Sequence, residues 1–199
     1  MSLKIISTEV VEHFQQKYGT TKIRKIIQYY GAGLPERYWL SEPTKKIKSN
    51  VDDICELGAV ANVVVLSDKI KSSTDIVSEI VKRQVDLKKN TKVMDFISFN
   101  AEVMDKFGSV DLQVVNEFKK LDCIAIHGFK RYGRVYDKFY PAVASILNSL
   151  ILSSISEKKI ILGVESDTDD MDGLKRLFGE EMLDVIQENF EIYSIVDAG

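Results

Sequence analysis

Hydrophobic positions along the chain follow two rhythms: short apolar runs, and stretches with apolar residues three and four apart. Near the start, Val10, Val11, Phe14 and Tyr18 share one helical face, with Ser7 or Thr8 as the cap and Gly19 as the stop. A second helix is expected from about Thr20, with Ile23, Ile26, Ile27 and Tyr30 on one face, ended by Gly31-Ala32-Gly33. This helical N-terminal arm, residues 1–32, is too small to hold a core alone. It docks either on the main domain, residues 33–199, or on a partner. In the second case Val10, Phe14, Ile23 and Ile27 are the docking residues.

After a junction at Gly33–Trp39, the cluster Lys45, Lys46 and Lys48 reads as an exposed connector, and a short helix runs from Val51 to Gly58. The β-rich run from Asn62 to Leu66 is the first strand. Small and polar residues follow it, and then a helix with Ile76, Val77, Ile80 and Val81 on one face. Four more strands are expected at Lys92–Ile97, Leu121–His127, Lys159–Val164 and Phe190–Val196. Between them lie a helix capped by Asn100, a helix over Val110–Phe118, a long helix with Pro141 in its first turn, and helices near Met171–Phe178 and Glu181–Glu188. Strands alternating with helices predict an α/β domain with five parallel strands, flanked by helices on both faces.

Composition adds few constraints. At 199 residues, 45% hydrophobic and 29% charged, the chain reads as one soluble globular domain with a small appendage. No apolar run reaches the length of a membrane span and no leader pattern opens the chain, so no membrane partner and a cytoplasmic location are expected. Cys55 and Cys123 sit singly in apolar stretches, which suggests neither a disulfide framework nor a zinc site. A net charge of −3 argues against nucleic-acid binding over the whole surface. A local patch remains open. The segment 129–140 mixes aromatics with Lys130, Arg131, Tyr132 and Arg134, the combination that single-stranded DNA binding uses. The other reading of that segment is a solvated loop whose aromatics pack on the sheet edge. Asp167, Asp169, Asp170 and Asp172 do not fit a calcium loop, because placing Gly173 at its sixth position leaves Gly179 where the bidentate Glu is needed.

The candidate chemistry lies after the first strand. A phosphate-cradling loop reads G-x-x-x-x-G-K-[ST]. Ser67 to Thr74 read S-D-K-I-K-S-S-T, so the length and the final Thr74 are present. Serines Ser67, Ser72 and Ser73 replace both glycines and the lysine.

Five landmarks in order and spacing carry a resemblance: Gly33-Leu34-Pro35-Glu36-Arg37-Tyr38; the strand, loop and helix over Asn62–Val81; Leu121–Gly128; Lys159–Glu165; and Phe178-Gly179-Glu180. Together they resemble the AAA+ ATPases that load replicative helicases and the related helper ATPases of insertion-sequence transposition. The resemblance implies a P-loop NTPase fold of AAA+ type, and it places this chain's departures. The Walker B carboxylates fall on His127 and Gly128, the sensor asparagine falls on Glu165, and the arginine-finger stretch Glu181–Val185 holds no arginine. His127, a lone histidine at a strand end, reads as structural rather than as a metal ligand.

The expectation is therefore a catalytically inactive relative that uses no cofactor and acts in DNA replication through protein binding, as a loader, an accessory or an inhibitor. Its implied partners are a replicative helicase or a helicase loader or initiator. Two alternatives stand beside it: an unconventional ATPase using Lys69 or Lys71 in place of the lost lysine, and a single-stranded nucleic-acid binder working through residues 129–140.

Overall fold

Ser7 caps α1 (Thr8–Tyr18), its hydroxyl accepting from the Val10 N–H, and Gly19 ends the helix. In this computed structural model, which describes residues 7–57, 62–104, 109–130, 140–152, 159–166 and 171–195, α2 spans Ile23–Gly31 and starts later than Thr20. Its buried side chains are Ile26 and Tyr29, whereas Tyr30 lies 44% exposed. Tyr29 can be buried because its hydroxyl finds a partner, donating to Asp86 at 2.7 Å.

The arm packs on its own domain. Phe14 is buried with its ring 4.7 Å from Trp39, and Val10, Ile23 and Ile27 pack, partly buried, on the same cluster. The face read above as a docking surface is thus turned inward. A short 3-10 turn, Glu36–Tyr38, carries the chain past Trp39. The next helix, α3 (Lys45–Leu57), begins before Val51, with the Thr44 hydroxyl accepting from the Ile47 N–H at 3.3 Å. Lys45, Lys46 and Lys48 therefore lie in its first turns rather than in a connector.

The remaining elements are β1 (Asn62–Ser67), α4 (Ile70–Asp86), β2 (Thr91–Asp95), α5 (Phe96–Val103), α6 (Leu112–Phe118) and β3 (Cys123–Phe129). They continue with α7 (Tyr140–Leu152), β4 (Lys159–Glu165), α8 (Met171–Phe178), α9 (Glu180–Asn189) and β5 (Phe190–Ile195). The five strands form one parallel sheet in the order β2-β3-β4-β1-β5.

Side-chain alternation along the strands feeds two cores. Val63, Val65, Ala125 and Ile161 join the cluster under α2, α3 and α4, and Val64, Leu66, Ile124, Ile126 and Leu162 join the cluster under α5 to α9. Burying each of these larger side chains contributes about 1.5–3 kcal/mol.

Several strand ends differ from the sequence reading. β2 stops at Asp95 because that carboxylate caps α5, accepting from the Ser98 N–H at 2.8 Å, so Phe96 and Ile97 enter a helix. Asn100 lies inside α5 and does not cap it; its amide is buried and has no hydrogen-bond partner among the described residues. β3 starts at Cys123 rather than Leu121; just ahead of it the Asp122 carboxylate accepts from the Asn90 N–H at 2.7 Å.

Candidate functional site at the carboxyl edge of the sheet

Parallel strands bring their carboxyl ends to one edge, where open α/β sheets hold ligands. Here that edge carries Ser67 beside Glu165, and Asp95 beside His127, as register partners on neighbouring strands. The fold thus gathers residues far apart in sequence.

The turn after β1 departs from that expectation. Only Asp68 and Lys69 separate β1 from α4, so Ile70 to Thr74 are already helical instead of forming an eight-residue loop. The N–H groups of Ser72 and Ser73 point back to the Lys69 carbonyl, at 3.0 and 3.4 Å. None of residues 67–74 has a positive φ. Serine at the glycine positions disfavours the left-handed backbone that a wrapping loop uses, and the helix starts at once. The Ser67 hydroxyl accepts from the Lys69 N–H at 3.2 Å and closes the short turn. Ser73, at the lysine position, is fully buried, and Thr74 is buried beside it with its hydroxyl 3.4 Å from Nδ1 of His127.

β3 likewise does not end at His127. Gly128 has φ near 80°, which admits a bulge, and Phe129 rejoins the ladder opposite Val164. His127 is half-buried among Thr74, Asp95 and Arg37. Burial pushes its pKa down; the Asp95 charge opposes this and Arg37 adds to it, leaving the net value below the ordinary 6.5. Burial also pushes the Asp95 carboxyl up, but bonds from Ser98 and the nearby ring outweigh it, and its pKa falls.

A histidine with a lowered folded pKa binds more protons when unfolded. Stability is therefore lost as pH falls through the unfolded value of 6.5 toward the folded one. His127→Gln is expected to flatten that loss between pH 7 and 5, as read from urea midpoints across the range. An unchanged slope would remove His127 as its source.

A second group of side chains meets beside Thr74. Asp75 is buried, at 8% exposure. Its carboxylate accepts from the Tyr38 hydroxyl and from Lys71 one helical turn away, with the Arg37 guanidinium at 3.5 Å. Arg37 also donates to the Tyr38 hydroxyl at 2.8 Å and lies over its ring. Burial pushes the Tyr38 hydroxyl pKa up, so it stays a donor. In the sequence the signal of this group is the Arg37-Tyr38 pair together with the Lys71/Asp75 spacing of four. Lys71, offered as a stand-in for the lost lysine, is thus engaged with Asp75.

Other sequence candidates separate from this site. Arg131, Tyr132 and Arg134, with Asp167, Asp169 and Asp170, lie outside the described residues. At the ends of the 129–140 segment the aromatics are core. Phe129 is fully buried 4.6 Å from Phe96, and Tyr140 stacks on Phe96 while donating to the Lys130 carbonyl. A cavity of about 380 Å³ opens toward the far end of α4, between Tyr29, Trp39, Glu79 and Asp86. Charges on its walls pair with one another, Lys82 with Glu79 and Lys25 with Asp86. Among the described residues no cluster of His, Cys, Asp and Glu could hold a metal ion, and no helix is long and apolar enough to cross a membrane.

Comparison with known proteins turns on the fold. No family model and no curated protein matches the chain. Among solved structures, AMPPCP-bound DnaA from Aquifex aeolicus superposes over 81% of this chain with a TM-score of 0.57 and 14% identity. The DnaC helicase loader superposes over 81% of this chain and all of its own, with a TM-score of 0.53 and 14% identity. The fold is of AAA+ type. The chain spans 51% of the DnaA chain it matches, and at 14% identity the likeness is one of architecture.

Proposed function

We propose that the chain acts in DNA replication by binding other proteins, as a helicase-loader-like accessory, loader or inhibitor that does not hydrolyse ATP. The AAA+-type fold shared with a helicase loader and with DnaA supports the replication setting. The observation that carries the second half is the two-residue turn between β1 and α4. A triphosphate needs successive backbone N–H groups curved around it and a lysine reaching its outer phosphates. In this chain the N–H groups of Ser72 and Ser73 are spent within the helix, and the lysine position is the buried Ser73. Where the resemblance places the magnesium-holding carboxylates, at the end of β3, His127 and Gly128 stand. These features support a site that does without nucleotide.

The test is affinity purification of the tagged full chain from its source cell, followed by direct binding of the co-eluting protein in purified form. A replicative helicase, a loader or an initiator that binds the purified chain without ATP is the expected result. A soluble, folded bait that brings down no replication protein would contradict the replication role.

A further inference from the structure

Three donors converge on a single point beside the first turns of α4. They are the Lys71 ammonium, the Arg37 guanidinium and the Tyr38 hydroxyl, contributed by two segments more than thirty residues apart in sequence. Such a set, two cations and a neutral donor, is what an anion-binding pocket uses. The group that satisfies it belongs to the chain itself. Asp75 follows Thr74 directly, lies 8% exposed, and spends one carboxylate oxygen on Lys71 and the other on Arg37 and Tyr38. The two cations remain accessible from outside, with their side chains 74% and 54% exposed.

We propose that Asp75 is the specificity-determining residue of this edge: its carboxylate occupies the anion position between Arg37, Tyr38 and Lys71 and closes it to phosphate. This rests on the reading of the site as one that does without nucleotide, and adds a cause for it beyond the missing glycines and lysine. An incoming phosphate would meet a fixed negative charge already holding both cations, and would have to displace a carboxylate tethered at very high local concentration. Neutralising that one residue frees the cations while leaving the Tyr38 donor a partner, since an amide oxygen accepts as a carboxylate does.

The experiment titrates the full chain with inorganic tripolyphosphate, which carries the anion without a nucleoside, and compares wild type with Asp75→Asn. Asp75→Asn is expected to bind about tenfold more tightly or better, in a salt-dependent manner, and the gain is expected to vanish when Arg37→Ala and Lys71→Ala are added. Thermal melting checks that each variant is folded. Should Asp75→Asn not fold, Asp75→Ser, with its smaller neutral side chain, is measured in its place. Equal affinity of wild type and a folded variant, a gain that survives loss of both cations, or failure of both variants to fold would each overturn the proposal. A wild type that does not bind nucleotide leaves the functional reading intact even if Asp75→Asn binds no tripolyphosphate.

Discussion

Replacing Trp39 with alanine is expected to lower stability by about 3–5 kcal/mol, the range for removing a large aromatic from a core. Trp39 is buried at the point where arm and sheet domain meet. Phe14, Tyr18 and Tyr30 stand edge-on around it at 4.7 to 6.0 Å, and its indole N–H donates to the Leu34 carbonyl at 3.0 Å. Two of those rings, Phe14 and Tyr18, belong to α1. The same substitution should therefore loosen α1 before the sheet, visible as faster amide exchange over residues 8–18 than over β1 and β3. Uniform loss of protection, or a urea midpoint within experimental scatter of wild type, would show that the arm does not depend on this residue.

Gly33→Ala should cost about 2–4 kcal/mol, through two effects that act at one position. Its φ of 84° is one that side chains rarely adopt, and an added Cβ would stand 2.5 Å from the Val93 carbonyl oxygen. That oxygen is backbone and cannot step aside. The preceding residue supplies the other half of the contact, with the Ala32 carbonyl accepting from the Val93 N–H at 2.8 Å. β2 is an edge strand, so the arm satisfies one of its outward N–H groups. Gly33→Ala would have to move the junction away from β2 and lose that bond too. Equilibrium urea unfolding with an unchanged slope and a lower midpoint is the expected signature; a midpoint equal to wild type would show that the junction shifts at no cost.

Much of this architecture was legible in the hydrophobic pattern. All five strands appear where apolar runs predict them, because a parallel sheet buried on both faces requires such runs. Boundaries shifted where one side chain decided them: Asp95 capping α5 shortened β2, and Gly128 let β3 continue past His127 to Phe129. On α2 the buried tyrosine is Tyr29, whose hydroxyl reaches Asp86, whereas Tyr30 packs edge-on against Phe14 and Trp39 while its outer side stays exposed. At the site, the spacing from Ser67 to Thr74 suggested a loop, and length alone could not show that the helix takes those residues over. The Asp75 cluster as a whole is not legible in the sequence, because its cations come from the junction and from one turn upstream, a convergence that exists only after folding.

That an AAA+-type scaffold works here without the triphosphate is tested most directly by titrating the purified full chain with ATP and Mg²⁺ in a calorimeter, with phosphate release followed in parallel. The account predicts no saturable heat and no release above buffer. Saturable binding with turnover that Thr74→Ala abolishes would contradict it.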